Sequence, residues 1–195
     1  VDDDNKKADF SNIQDAVNAA SDGDEIIVYQ GVYTGSGTEV VNTLGKAIWL
    51  HGVDGAATTI IDASSLNGSA IVCVNNETPN TIISGFTLTG GTGTIHPSWG
   101  TPLGGGLFAF FSSPTISDCI VTDNEADFAG GIWVQESQAT IENVQFSNNQ
   151  ATYPVDGGAG GLYLWDSVAL VTGCTFENNS CTGAGAALRC KTSAN

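Results

Sequence analysis

Proton transfer near neutral pH calls on histidine, or on a lysine or carboxylate whose surroundings have moved its pKa. This 195-residue sequence offers two histidines, His51 and His96, and five cationic side chains, Lys6, Lys7, Lys46, Arg189 and Lys191. His51 follows an apolar run and has no acidic neighbour on either side; His96 lies in the segment HPSWGTP. Both read as strand-end or loop residues. None of the cations stands in an aspartate cluster in the middle of the chain. Three carboxylates, Asp22, Asp24 and Glu25, could together hold one Ca²⁺, since hard cations take several carboxylate oxygens. Their spacing is not that of an EF-hand, so no cofactor is expected, and calcium at this trio is the alternative. Asp2, Asp3 and Asp4 read as a solvated tail. No G-x-S-x-G, P-loop or H-E-x-x-H motif occurs.

The cysteines, Cys73, Cys119, Cys174, Cys181 and Cys190, are odd in number and form no C-x-x-C pair. That supports neither a zinc knuckle nor a dithiol redox site. Most are expected to be free thiols packed as small hydrophobes. Asn67, Asn76 and Asn178 begin N-x-S/T sequons and are glycosylation candidates. With 21 acidic and 5 basic residues the net charge is −16. Such a surface repels nucleic acid and anionic membranes. It would hold polyuronates only through a bridging cation. No apolar stretch is long enough to insert in a bilayer.

The elements that must position these residues fall into two parts. Phe10, Ile13, Ala16, Val17 and Ala20 recur at helical spacing, predicting a helix near 9–20, with Ser11 as N-cap and Gly23 as stop. A strand follows at Ile26–Tyr29. Residues 1–25 therefore read as a cap and residues 26–195 as coils. In the second half, ISGFTL from Ile83 returns as ISDCIV from Ile116, IENVQF from Ile141 and VTGCTF from Val171. A second motif alternates with it: GGLFA from Gly105, GGIWV from Gly130, GGLYL from Gly160 and AALRC from Ala186. Strand-only repeats of this length predict an all-β solenoid with one coil per repeat.

Ile83, Ile116, Ile141 and Val171 form one apolar column; Phe86, Cys119, Val144 and Cys174 form a second; Leu88, Val121, Phe146 and Phe176 form a third. Gly85, Asp118, Asn143 and Gly173 stand between the first two, where a left-handed residue would turn the chain. Gly91, Asn124, Asn149 and Asn179 follow the third. Stacked Asn side chains can hydrogen-bond one another along the coil axis, so Asn124, Asn149 and Asn179 are expected to form a structural ladder, with a polar binding groove as the alternative.

FSNN at Phe146–Asn149 and FENN at Phe176–Asn179 match an F-x-x-N motif, while GGIW at Gly130 and GGLY at Gly160 resemble G-G-A-[ILV]. Together they resemble the repeats of polymorphic outer membrane proteins, which are secreted right-handed parallel β-helices. The opening DFSNIQDAVNAASDGDEIIVYQGVY is similar to the capping helix and first coil of many pectate-lyase-like β-helices. The resemblance implies a right-handed single-stranded parallel β-helix with a short N-terminal capping helix, extracellular or on the cell surface. It also implies what an enzyme of this kind would need: an Arg or Lys base with carboxylate-bound calcium for a lyase, or paired aspartates with nearby His and cations for a hydrolase. The sparse cations and histidines fit neither pattern.

Strand alternation points Leu107, Ile132, Leu162 and Leu188 inward, and Phe108, Trp133, Tyr163 and Arg189 outward. Phe110, Gln135, Trp165 and Lys191 form a second outward column. Solvated faces seldom carry such aromatics. Phe108, Phe110, Trp133, Tyr163 and Trp165 are therefore candidate partner- or glycan-binding residues, unless loops 91–102 and 151–156 fold over them. A coil ending near Cys190 would leave strand edges that invite a neighbouring segment or a second copy, and a head-to-tail contact that does not close makes a filament. The sequence thus points to a non-catalytic structural or adhesive β-helix module, not an enzyme, with a carbohydrate-active β-helix as the alternative.

Overall fold

The computed structural model describes residues 1–3, 8–154, 157–183 and 185–193. Asp4, Lys6, Lys7, Val155 and Asp156, which figure in the sequence-based expectations, lie outside them. Three six-stranded parallel sheets run the length of a solenoid, each with its strands stacked in sequence order. The first sheet holds Glu25–Val28, Trp49–Gly52, Ile82–Ser84, Thr115–Ser117, Thr140–Glu142 and Leu170–Thr172. The second holds Gly31–Tyr33, Thr59–Asp62, Thr87–Thr89, Ile120–Thr122, Gln145–Ser147 and Thr175–Glu177. The third holds Val41–Asn42, Ile71–Cys73, Leu107–Phe110, Ile132–Gln135, Leu162–Trp165 and Leu188–Lys191. A short sheet of Glu125–Ala126, Gln150–Ala151 and Ser180–Cys181 fills one further side.

The register is the one the repeats spell. Ile83 pairs with Ile116, Ile116 with Ile141 and Ile141 with Val171, while Leu107, Ile132, Leu162 and Leu188 align in the third sheet. Between the first and second sheets the chain turns at Gly85, Asp118, Asn143 and Gly173, with φ of 77°, 52°, 54° and 64°. Those left-handed residues break the strand alternation, so Ile116 and Cys119 both face the core. Cys119 and Cys174 are separated by Val144 in their column, and all five cysteines are free thiols. Burial pushes the thiols of Cys73 and Cys119 well above their ordinary value, the latter to about 12, which leaves both unreactive.

The helix is shorter than its apolar stripe. It spans Ile13–Ala19 and buries Ile13, Ala16 and Val17 over the first coil. Its N-cap is Asn12, not Ser11: Asn12 has extended backbone, and its Oδ1 accepts the Asp15 N–H at 2.8 Å. Ala20 closes the helix in extended conformation, so Gly23 stands beyond the stop. Lys46 supplies the other cap, its ammonium donating to the carbonyls of Val17, Asn18 and Ala20 at 2.6–3.0 Å.

The cap also closes the strand edges of the first coil. Val1 brackets the first strand, donating from its amino group to Ile27 O and accepting from Tyr29 N. The Asp3 carboxylate accepts from Val32 N in the second sheet. Gln14 imitates a peptide unit on Asn42, its Oε1 accepting the Asn42 N–H at 2.7 Å and its Nε2 donating to Asn42 O at 3.2 Å.

Candidate functional site

The aromatic columns of the third sheet point out of the coil, as alternation requires, but three of their members do not reach solvent. Phe108, Trp133 and Tyr163 are 1 %, 0 % and 1 % exposed and pack with Val72, Leu103, Ala129 and Ala159 in a second apolar cluster outside the coil. The loop that follows the second sheet folds over them as a small hairpin, Thr94–Ile95 against Pro102–Leu103. Its Trp99 meets Trp133 and Trp165 edge-on at ring distances of 5.9 and 5.0 Å. Phe128, half-buried against the cluster, stacks on Tyr153 of the next loop. A partner or glycan therefore cannot lie on Phe108, Trp133 or Tyr163; of the five candidates only Phe110 and Trp165 retain partial exposure. The cations of the last strand join the same face. Lys191 lies over the Trp165 ring at 4.5 Å, and Arg189 lies over Tyr163 at 5.5 Å while donating to Gly157 O.

His96 holds the hairpin shut. Its ring is 2 % exposed, stacks on Trp99 at 4.1 Å and meets Phe110 edge-on at 5.0 Å. Nδ1 accepts the backbone N–H groups of Ser98 and Trp99 at 3.2 and 3.3 Å. That fixes the neutral tautomer with its proton on Nε2, which is buried on the side of Gln135. Burial lowers the His96 pKa, and the opposing pull of Gln135 does not offset it.

The expected asparagine ladder is present. Asn124 Nδ2 donates to Asn149 Oδ1 at 3.0 Å, and Asn149 Nδ2 donates to Asn179 Oδ1 at 2.9 Å. Each carboxamide oxygen also accepts the backbone N–H one coil below it, and each Nδ2 also donates to a second-sheet carbonyl, Leu88, Val121 or Phe146. Asn124 and Asn149 are buried, which leaves no polar groove there.

A second ladder escaped the sequence reading. At the corner after the third sheet, Ser112 N–H donates to Ser137 Oγ and Ser137 N–H to Ser167 Oγ, each at 3.3 Å. Glu77 heads this column, 3 % exposed, accepting from Thr43 Oγ1 and Ser112 Oγ at 2.6 Å and from the amides of Gly45 and Asn75. Burial pushes its pKa up, but those hydrogen bonds outweigh it and hold the carboxyl below its usual value. The signal was the recurring serine two residues after each aromatic strand.

His51 has an acidic neighbour after all, supplied by the coil before it. Nδ1 lies 3.0 Å from Glu25 Oε1, and the imidazole stacks on Trp49 at 4.4 Å with 9° between the rings. The calcium trio is dispersed. Asp22 accepts from Ala47 N, Asp24 from Ser21 N, and Glu25 faces His51. Among the described residues no group of three His, Cys, Asp or Glu side chains is gathered to hold a metal. The sequon residues Asn67, Asn76 and Asn178 are exposed.

Stacked parallel strands in sequence order, a helix-capped first coil and an internal asparagine ladder are the marks of a β-helix. The family model of the right-handed β-helix region matches residues 6–195. The chain belongs to the right-handed β-helix family. That match is to the β-helix at large and does not reach the closer likeness of its repeats to polymorphic outer membrane proteins. No curated protein and no solved structure matches this β-helix. The family includes enzymes and non-enzymes alike, so function has to be argued from side chains.

Proposed function

We propose that this β-helix is a non-catalytic structural or adhesive module, extracellular or displayed on a cell surface. The observation that carries the reading is the second core. On the third sheet, Phe108, Trp133 and Tyr163 are sealed beneath a loop instead of lining a cleft. The described cations support it, because each is engaged in holding the fold. Lys46 caps the helix, and Arg189 and Lys191 lie over aromatic rings.

The test is turnover. Incubation with polygalacturonate and neutral polysaccharides, with calcium present, should release no unsaturated or reducing sugar ends. Sustained release that disappears on mutating a residue of the inner coils would establish the carbohydrate-active alternative instead.

A further inference from the structure

We propose that Asn67 is a site of spontaneous covalent modification: its carboxamide closes on the Gly68 nitrogen, and the isoaspartate that results loosens the hairpin over the third sheet. Asn-Gly occurs once in the chain, at these two residues. They lie in the bend between the second-sheet strand Thr59–Asp62 and the third-sheet strand Ile71–Cys73. Asn67 is exposed, and among the described residues neither its carboxamide nor the Gly68 N–H makes a hydrogen bond. The ladder asparagines, by contrast, have both carboxamide atoms engaged.

The attack is intramolecular and closes a five-membered ring, so the reacting atoms are held at high effective concentration. Gly68 has no side chain to crowd its nitrogen or to stop the chain turning toward ring closure. A side chain there would run into the Thr38 carbonyl oxygen, so the fold itself demands the glycine that makes its neighbour vulnerable. The Gly68 nitrogen gives up its proton to hydroxide and bonds to Asn67 Cγ. The Cγ–Nδ2 bond breaks, and ammonia leaves with a proton taken from water. Water then opens the ring. Cleavage between the nitrogen and Cγ gives aspartate; cleavage between the nitrogen and the main-chain carbonyl of residue 67 gives isoaspartate, with the chain routed through Cβ. Water is the only co-reactant.

The residues that follow Asn67 anchor the hairpin. Gly68 O accepts from Thr92 N at 2.8 Å and from Gly93 N at 3.2 Å. Ser69 Oγ accepts from Thr94 Oγ1 at 2.7 Å and donates to Gly104 O at 2.6 Å. These bonds fix both ends of the segment whose Trp99 covers Trp133. On the other side of Asn67, Leu66 packs against the core of the coil. Isoaspartate inserts a methylene into the main chain between these two fixed points. Leu66 and the Gly68–Ser69 anchor then cannot both keep their places, and the seal over the second core is strained at its base.

The test ages the full chain in mildly alkaline buffer beside a free peptide of residues 65–70, SLNGSA. Both are followed by peptide mapping with mass spectrometry, and an isoaspartyl methyltransferase reports isoaspartate. Asn67 is expected to convert before any other asparagine and within the time the peptide takes to react fully, with isoaspartate the larger product. Quenching of tryptophan fluorescence by acrylamide should rise in step, as the hairpin loosens over Trp133. Asn67→Gln, whose longer side chain closes the ring far more slowly, should stay unmodified and keep the quenching of fresh protein. Freshly prepared Asn67→Asp carries the new charge without the added methylene and should also match fresh protein, which separates the backbone insertion from the charge. The proposal is overturned if Asn67 is intact when the peptide has reacted fully, if another asparagine converts first, or if converted protein is quenched no more than fresh protein.

Discussion

Asn149 makes four side-chain hydrogen bonds: it accepts from the Asn124 backbone and carboxamide and donates to Val121 O and to Asn179. Asn149→Ala leaves those buried partners unmatched, and a loss of roughly 1–3 kcal/mol is expected, read as a lower thermal midpoint. Glycan binding should be unaffected. Two other residues set how the fold responds to acid. His96 has a folded pKa below its ordinary 6.5, so the unfolded chain takes the proton first. Stability therefore falls as the pH drops below about 6.5, until the folded ring is itself protonated. His96→Asn keeps an acceptor for Ser98 and Trp99 but cannot titrate, and it should flatten the midpoint-against-pH curve in that window. Glu77 acts lower on the scale. Its folded pKa lies below its ordinary 4.5, so its contribution is complete above that value and is lost as the pH falls through the folded pKa. Glu77→Gln should remove the steeper loss below pH 4.5 while lowering stability at neutral pH. The Asn ladder could be read in advance because one residue type recurs at one repeat position. Glu77 could not, since its partners Thr43 and Ser112 stand 34 and 35 residues away and only the coil register brings them together.

Among the elements, the hairpin over the third sheet made the largest difference between reading and structure. Alternation fixes which way Trp133 points, because side chains on a strand change face at every residue. Whether a loop then covers it depends on the path of residues 91–103, where no period exists to be read. The Pro-, Gly- and Trp-bearing segment HPSWGTP turns out to be the seal itself. Trp133 is a core residue in consequence, and Trp133→Ser should cost about 3–5 kcal/mol with no change in any partner. Chemical denaturation together with size-exclusion chromatography checks both halves. Soluble, folded Trp133→Ser protein that had lost a self-association shown by the parent would restore the interface reading of that column. The helix shows the opposite case. Its apolar stripe identified it, but its start was set by Asn12 because a cap needs extended backbone and a side-chain oxygen over the first turn.

For the whole molecule, a solenoid's stability is close to a sum over coils and the contacts between them, so its ends matter more than in a globular domain. One end here is closed by imitation, with Gln14 offering a carboxamide where a neighbouring strand would offer a peptide group. Gln14→Ala frees the Asn42 N–H and carbonyl as an unpaired edge. We expect a small loss of stability but a measurable rise in self-association by light scattering, and no rise would mean that the helix alone protects the edge. The coil period, the corner residues and the inward columns were legible because each coil repeats the constraints of the last. The blocked edge was not, because it is made once, by a side chain that belongs to no repeat.

That helix has a consequence in time as well as in space. Every sheet stacks in chain order, and the capped coil is the earliest in sequence. As the polypeptide emerges during synthesis, the first surface able to act as a template is complete before any later coil exists, and each new coil meets a finished neighbour. Maturation should therefore run in one direction only. Ribosome-bound chains halted after successive coils should show protease resistance that begins at the helix and lengthens coil by coil. Chains lacking residues 1–24 should gain none until release, having no primer on which to condense.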